Sequence, residues 1–549
     1  MIANLCGTCQ AICTIQITAR LLTMSPENGS LMPCMIPPAN ASQITQSAIM
    51  RKYNGLSDCL IVCMLIYPII LTLSIIKKFR LLHFILNDKE IKTSLAPGLT
   101  LLDFIRYQNQ LTGTKIGCRE GDCGACSILV GEIKEGNLGY HSVTSCLMAL
   151  GNAQGKHIVT IEGINTAGLN VVQEAFAEEG ATQCGFCTPG FVVSLTGFCI
   201  SDKKPVYEDA IDAINGNICR CTGYKSIERA TASITKKIKE RNGDALQFAV
   251  DNNFIPSYFL GIKQRLIDIS NSYEDNITSS TVKKLGGGTD LYVQQHEGME
   301  DADIDFLFDK KILNGITQEG NNCVMGGSVT AADIAGSALF QKHFKDLQNH
   351  IKLVSSTQIR NMATLAGNFT NASPIGDFTV FFLALNATLI LRKNEENKTI
   401  ALRDFYKGYK ILAKEDDEII EKISFSLPGE NDLFNFEKVC KRSYLDIASV
   451  NSAIHLKMNG TVITEAGLSA GGVGPVPAIL ANASKHLAGK SVSIELIRTL
   501  IEIAQKEIAP ITDVRGTAEY KRLLLSQLIK AHFIKLFPSI PLEKMISPS

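Results

Sequence analysis

Eight of the seventeen cysteines fall into two sets spaced for iron–sulfur ligation: Cys118, Cys123 and Cys126 with Cys146, then Cys184 and Cys187 with Cys219 and Cys221. Thiolates are soft ligands that hold iron in four-coordinate sulfur sites, and C-x4-C-x2-C with a distant fourth cysteine is the plant-type [2Fe-2S] spacing. Within Cys118-Arg-Glu-Gly-Asp-Cys-Gly-Ala-Cys126, Gly121 and Gly124 let a short loop curl and aim N–H groups at sulfur. Arg119 is expected to add positive charge beside an anionic centre. A structural zinc site is the competing reading, but it normally uses two C-x2-C pairs and matches this loop poorly. One such set would make a simple carrier, whereas two in series make a wire.

The second set ends in Ile-Cys219-Arg-Cys221-Thr-Gly-Tyr. A C-x-C pair cannot share one helical face, so a tight loop is expected there. Its first half, Cys184-Gly-Phe-Cys187-Thr-Pro-Gly, leads into a helix predicted over 191–200. Pro189 stands at the opening of that helix, where the dipole favours thiolates. A thioredoxin-like dithiol would need a βαβ setting that the pattern lacks, and would leave the C-x-C unexplained.

The elements that must position these residues are readable from periodicity. Residues 81–163 read as a small α+β domain, with strands at 82–86, 127–133 and 158–162 and helical spacing over 101–107. Residues 164–241 turn helical, with segments near 170–179, 191–200, 208–214 and 226–241. A polar stretch from 242 to about 280 reads as a connector packed on its neighbours, its first part (242–264) a linker. At 549 residues with 45% hydrophobic and 20% charged content, the chain should hold three or four globular domains. A net charge of zero gives no basic face for nucleic acid. Cys199, Cys323 and Cys440, scattered among apolar residues, suit a reducing compartment.

Residues 1–80 look foreign to the rest of the chain. Cys59 to Ile76 is an eighteen-residue run without a charge, which just reaches membrane-spanning length, so 56–76 is a candidate membrane helix. Lys77, Lys78 and Arg80 follow it against Arg51 and Lys52 before it, a slight lean towards a cytoplasmic C-terminal side. A cytoplasmic location and a membrane anchor with cytoplasmic redox domains are therefore both open. Cys6, Cys9 and Cys13 lack a fourth ligand at sensible spacing.

Further on, Lys284-Leu-Gly-Gly-Gly-Thr-Asp-Leu-Tyr292 offers a backbone that can approach a diphosphate. Alone, a triple glycine is more often a flexible turn, and the G-x-G-x-x-G of a Rossmann unit is missing. A second loop, Arg360-Asn-Met-Ala-Thr-Leu-Ala-Gly-Asn-Phe-Thr-Asn-Ala-Ser-Pro-Ile-Gly-Asp377, supplies small and hydroxyl residues ending in a carboxylate. A flavin is what one-electron centres need in order to meet a two-electron acceptor.

These cysteine sets, followed by Leu-Gly-Gly-Gly-Thr-Asp-Leu and Gly-Asn-Phe-Thr-Asn-Ala-Ser-Pro-Ile-Gly-Asp, resemble the small iron–sulfur and flavin subunit of bacterial xanthine dehydrogenases, in the molybdenum hydroxylase family. The likeness covers roughly residues 81–540 and includes Phe405-Tyr-Lys-Gly-Tyr409, Lys441-Arg-Ser-Tyr-Leu-Asp-Ile-Ala448, Ala470-Gly-Gly-Val-Gly-Pro475 and Gly516-Thr-Ala-Glu-Tyr-Lys-Arg522. It implies a multidomain α+β architecture. A β-grasp plant-type ferredoxin domain (81–163) precedes a helical [2Fe-2S] domain (164–241). A two-part α+β FAD domain of the PCMH or vanillyl-alcohol-oxidase type (265–428) and a C-terminal α+β domain resembling a CO dehydrogenase flavoprotein (433–540) complete it. The resemblance assigns the first cysteine set to the cluster nearer the flavin and the second to the cluster nearer molybdenum. FAD is expected at Lys284, Leu285, Gly286, Gly287, Gly288, Thr289, Asp290 and Leu291, and at Ala363, Thr364, Gly367, Asn368, Thr370 and Asp377, with Lys438 approaching the ring. No molybdopterin half is present after these domains, so the resemblance implies a hetero-oligomer with a molybdopterin-binding large subunit. Electrons would pass from there through both clusters to FAD and then NAD, in purine oxidation. Service to an aldehyde, nicotinate or aromatic acyl-CoA hydroxylase, or a membrane-tethered carrier feeding quinone, are the alternatives.

Overall fold

The computed structural model describes residues 22–24, 31–33, 81–270, 282–442 and 444–540. The candidate membrane helix at 56–76 lies outside the described residues, as do Cys6, Cys9 and Cys13. Among the described residues, no helix is long and apolar enough to cross a membrane. Leu22–Met24 and Leu31–Pro33 pair as a short antiparallel ribbon. Arg80–Ser549 is a separate compact unit that holds both cysteine sets and the glycine loop.

Leu82–Leu86, buried at every position but His83, starts the first sheet. That strand pairs antiparallel with Lys89–Thr93 and parallel with His157–Val159, and the sheet continues through Ser127–Lys134 to Asn137–Thr144. A helical turn at Leu101–Asp103, capped by Thr100, runs on as a π-helical turn over Phe104–Gln108. It lays Leu101, Leu102 and Phe104 on the sheet against Phe84, Val130 and Val143. This is the β-grasp arrangement. The strand expected at 158–162 is shorter because the chain turns into a 3-10 segment at Ile161–Ile164.

Helices Val171–Glu178, Thr188–Cys199, Tyr207–Ala213 and Lys225–Ile238 form the next layer. Ten consecutive residues of Thr188–Cys199, Gly190 to Cys199, are buried because the helix is clasped between its neighbours and the ferredoxin sheet. Gly197 permits that approach, since a β-carbon there would stand 2.6 Å from a Leu129 methyl carbon. The connector is itself helical, at Ala245–Asp251 and Ile262–Ser270. It docks Phe259 against Tyr140 and His157, and Ile262 and Leu266 against Ile85.

The flavin-type domain has two parts. Lys283–Leu285 and Ile304–Phe306 make a parallel pair. A five-stranded antiparallel sheet runs in the order Ile316–Glu319, Asn322–Gly326, Ile419–Ser426, Thr388–Lys393, Glu396–Ala401. Phe340, Phe344, Phe381, Phe382 and Phe425 fill the space between this sheet and the intervening helices; burial of each such ring contributes about 2 kcal/mol. Lys156, its side chain 5% exposed, ties this domain to the ferredoxin sheet by ion pairs to Asp309 (2.9 Å) and Glu132 (3.7 Å). The C-terminal domain lays Ile494–Lys506 and Ala518–Leu536 on the sheet Leu433–Val439, Val450–Asn459, Val462–Gly471, Ala478–Ile479.

Asn435 joins the last two domains. Its Nδ2 donates to His532 Nδ1 (2.9 Å) and to Glu437 Oε1 (2.9 Å), and its Oδ1 lies 3.1 Å from His350 Nε2. Burial holds the His350 imidazole down to about 4 and that of His532 down to about 3. A native state that resists protonation binds fewer protons than the unfolded chain, so its stability is complete above pH 6.5 and falls as the pH drops towards 4 and then 3. His350 alone contributes on the order of 3 kcal/mol to that loss. Urea midpoints measured between pH 7 and 4 should therefore fall less steeply in His350→Gln than in the parent chain.

Candidate functional site

The eight cysteines come together as four thiol pairs. Cys118 hydrogen-bonds Cys123, and Cys126 hydrogen-bonds Cys146. In the second set, Cys221 donates to Cys184 with the sulfurs 3.6 Å apart, and Cys187 hydrogen-bonds Cys219. No group of three or more His, Cys, Asp or Glu among the described residues closes on a single metal position. A diiron cluster does not ask for that, because its four thiolates divide two to each iron.

The loop carrying the first set supplies donors to sulfur. The Glu120 and Asp122 N–H groups each reach Cys118 Sγ at 3.3 Å, and the Cys118 N–H reaches Cys123 Sγ at 3.4 Å. The Cys118 thiol is held down to about 5, first by its hydrogen bond with Cys123 and then, against burial, by those N–H groups. Gly124 is required twice over: its φ is +65°, and a β-carbon would stand 2.4 Å from the Gly216 carbonyl oxygen. Arg119 departs from expectation. Its guanidinium makes a two-pronged pair with Asp103, at 2.9 and 2.6 Å, so its charge is neutralised locally and it anchors the loop.

The second set lies on a loop at 219–221, as the C-x-C spacing requires, and Cys187 is the N-cap of Thr188–Cys199. Burial raises the Cys219 thiol, but the Thr222 hydroxyl (3.2 Å) and the Thr222 and Cys221 N–H groups (3.4 Å each) outweigh it and bring it below its ordinary value. In each set one thiol is held towards thiolate while its paired neighbour, Cys123 or Cys187, is pushed up, and the N–H and hydroxyl donors aimed at sulfur fit iron–sulfur clusters by donor chemistry. Exposure is graded across the two sets, with Cys219 buried and Cys118, Cys123 and Cys187 half-buried. Cys126 and Cys146 are buried, whereas Cys184 and Cys221 are exposed, with Phe186 46% and Tyr224 40% exposed.

The two loops touch. The N–H of Ile218, the residue before Cys219, donates to the Cys123 carbonyl at 3.0 Å, and Asn217 Nδ2 donates to the Gly124 carbonyl at 3.0 Å.

The glycine loop follows Lys283–Leu285 and leads into the short helix Leu291–Gln294. It lies directly on the second predicted segment: a β-carbon on Gly287 would be 1.8 Å from the Met362 carbonyl oxygen, and one on Gly286 2.8 Å from Thr364 Oγ1. On its other side, a β-carbon on Gly288 would be 2.4 Å from the carbonyl oxygen of Leu147, the neighbour of Cys146. The N–H groups of Gly287, Gly288 and Thr289 have no protein acceptor among the described residues, and both glycines are buried. Buried N–H groups are rarely left unpaired, so this row of donors fits an anionic ligand such as a flavin diphosphate.

Thr364 caps Leu365–Asn371 by accepting from the Gly367 N–H (3.1 Å), and Thr370 Oγ1 donates to the Ala366 carbonyl (2.7 Å). Asn368 Oδ1 accepts from the Thr379 N–H (3.2 Å), and the Ala363 carbonyl accepts from the Ala331 N–H (3.1 Å). Burial pushes the Asp290 carboxyl up to about 6, against the pull of Lys410 and a 2.6 Å hydrogen bond from Asn371 Nδ2. Lys284 turns away to Asp305 (3.4 Å). Asp377 and Lys438 form a pair of their own at 2.7 Å; Lys438 also donates to the Leu353 carbonyl (2.8 Å), and Asn451 donates to Asp377 (2.6 Å). The Lys438 side chain is 1% exposed. Asn371, Lys410 and Asn152, which donates to the Gly286 carbonyl at 3.0 Å, belong to the site although the sequence alone did not point to them. Asn371 lies inside the 360–377 loop and Lys410 directly after Phe405-Tyr-Lys-Gly-Tyr409, whereas nothing marks Asn152.

Residues 84–150 match a 2Fe-2S iron-sulfur cluster binding domain, 160–232 a [2Fe-2S] binding domain, 265–428 an FAD binding domain in molybdopterin dehydrogenase, and 436–536 a CO dehydrogenase flavoprotein C-terminal domain. These are the iron–sulfur and flavin domains of a molybdenum hydroxylase. The chain is 30% identical over 484 residues to a xanthine dehydrogenase of Emericella nidulans, covering 74% of this chain and 35% of that protein. It is 25% identical over 544 residues to aldehyde oxidase 1 of Bos taurus, covering 84% and 40%. The chain thus spans well under half the length of either relative. A reconstituted CO dehydrogenase structure from Oligotropha carboxidovorans is 25% identical over 47% of this chain and 90% of its own, with a TM-score of 0.45.

In this molybdenum hydroxylase-type chain the two halves of the wire should be separable. Cys221→Ala should halve the bound iron and leave the visible spectrum of the buried cluster, and Cys126→Ala should do the reverse. Gly287→Ala should abolish flavin retention while iron content stays full, read by flavin absorbance after acid extraction.

Proposed function

We propose that this chain carries electrons within a xanthine dehydrogenase-type molybdenum hydroxylase. The path runs from a molybdopterin-bearing partner through Cys184, Cys187, Cys219 and Cys221, then Cys118, Cys123, Cys126 and Cys146, to FAD held by the glycine loop. When bound, the clusters supply one-electron steps and the flavin the conversion to a two-electron transfer to NAD. The observation that carries this reading is contiguity. The Ile218 N–H on the Cys123 carbonyl joins the two cysteine loops, and Leu147, next to Cys146, lies under Gly288.

The protein's own residues set the order. Cys184 and Cys221, exposed beside Phe186 and Tyr224, would face the electron donor, while the buried Cys126 and Cys146 would lie towards the flavin loop. N–H donors to Cys118 and Cys219 stabilise thiolate and tune each cluster's potential. The unpaired N–H groups of Gly287, Gly288 and Thr289 would bind the FAD diphosphate, with Ala363, Thr364, Gly367, Asn368 and Thr370 on the facing segment. Lys438, pinned by Asp377 and the Leu353 carbonyl, brings the C-terminal domain to the flavin domain. Reduced thiol ligands favour a cytoplasmic location for the working protein.

The likeness to an aldehyde oxidase favours aldehydes as a second substrate class. The deciding experiment reconstitutes the chain with its molybdopterin partner and follows NADH formation at 340 nm with xanthine and, separately, with an aldehyde. Xanthine-dependent NADH supports the main reading, aldehyde-dependent NADH the second. Turnover with a quinone but not NAD would sink the NAD assignment.

A further inference from the structure

One turn of chain, Thr357–Arg360 with its flanks, touches both cysteine loops and the glycine loop. On one side Thr357 Oγ1 donates to the Asp212 carbonyl (2.6 Å), the Thr357 N–H donates to Asn215 Oδ1 (2.9 Å), and Lys352 pairs with Asp212 (2.9 Å). On the other, Asn361 Nδ2 donates to the Ser142 carbonyl (2.8 Å), and a β-carbon on Gly121 would be 2.7 Å from a methyl carbon of Ile359. Two residues on, Met362 and Thr364 lie against Gly287 and Gly286.

Gln358 stands at the centre of this junction with no exposed surface. Its Nε2 lies within donating distance of Asn217 Oδ1 (3.0 Å), the Ala213 carbonyl (3.1 Å) and Ser194 Oγ (3.1 Å). Asn217 in turn donates to the Gly124 carbonyl (3.0 Å) and approaches Ser127 Oγ (3.3 Å). The chain Gln358, Asn217, Gly124 thus runs from the flavin domain through the residue two before Cys219 to the glycine between Cys123 and Cys126. Gln358 Oε1 has no partner among the described residues and sits where a β-carbon on Gly216 would come within 2.1 Å. An unpaired buried amide oxygen costs about 1–3 kcal/mol. A residue kept for stability alone would not carry that cost, whereas a buried polar network fixes one geometry among several of similar packing.

We propose that Gln358 is a positioning residue: through Asn217 it sets the separation and orientation of the two cysteine loops, and hence the coupling between the clusters they hold. The inference rests on the electron-transfer reading above. Gln358→Met keeps length and volume and removes the donor. The holo chain is reduced with dithionite, and iron content, flavin content, melting temperature and the spin–spin splitting between the two reduced clusters by electron paramagnetic resonance are recorded. Gln358→Met should retain full iron and flavin yet lose part of that splitting. Asn217→Ala should lose the same part, and the double variant no more than either single one, because both cut one link. Thr357→Val, which removes the hydroxyl's bonds to the Asp212 carbonyl and the Arg360 guanidinium but leaves the Gln358–Asn217 link intact, should lower the melting temperature and leave the splitting unchanged. An unchanged splitting in iron-replete Gln358→Met, or additive losses in the double variant, overturns the proposal. Asn217→Ala cuts the link from its other end and decides the matter if Gln358→Met does not fold. A parent chain without any reduced-cluster signal would instead overturn the electron-transfer reading itself.

Discussion

Electron exchange demands short gaps, and the hydrogen bond from the Ile218 N–H to the Cys123 carbonyl is where this fold meets that demand. It lies between a residue adjoining one ligand and the backbone of another, so the two cysteine loops cannot separate without breaking it. Much else is required to keep it. Gly124 must lack a side chain so that the 214–217 turn can close in, and Gly197 must lack one so that the helix behind Cys187 can lie against Leu129. Helix, sheet and turn are packed to the tolerance of a single methyl group, where inserting one costs about 1–3 kcal/mol.

The chemistry of the site was legible in the sequence where it depends on spacing along the chain. C-x4-C-x2-C and C-x-C are local constraints, and the turns they demand are the turns that form. The triple glycine was ambiguous alone, because a flexible turn and a phosphate cradle look the same until the facing Met362–Thr364 segment arrives from 75 residues away. What could not be read is what depends on distant partners. Arg119 looked like a charge aimed at the cluster, yet Asp103, sixteen residues upstream, takes both its prongs. The polar connector reads as packed on its neighbours, but its composition does not mark Phe254, Phe259 and Ile262, which are among the most deeply buried of the described residues. Gln358 carries no signal at all: a glutamine near the start of a loop is ordinary until three separate elements close around it.

Polarity is built into the pair of cysteine sites through dielectric environment. The set at Cys184 and Cys221 meets water, while Cys126 and Cys146 do not. Burial disfavours added charge, and N–H donors to sulfur favour it, so the two sites reach their working potentials by different balances of the same two terms. The domains beyond are locked by buried ionic and polar contacts at their seams: Lys156 with Asp309, Lys438 with Asp377, and Asn435 between two neutral histidines. Contacts of this kind are a poor source of net stability but resist sliding, because a displaced partner leaves a buried charge alone.

The burial of Cys126 and Cys146, at 2% and 1% exposure, also bears on how the chain is made. Those two thiols are shielded from solvent, with the glycine loop against the neighbouring Leu147 carbonyl, while Cys118 and Cys123 of the same set are only half-buried. The exposed pair at Cys184 and Cys221 carries no such restriction. A metal entering the first set therefore meets Cys118 and Cys123 before Cys126 and Cys146, whereas in the second set the exposed Cys184 and Cys221 stand outermost.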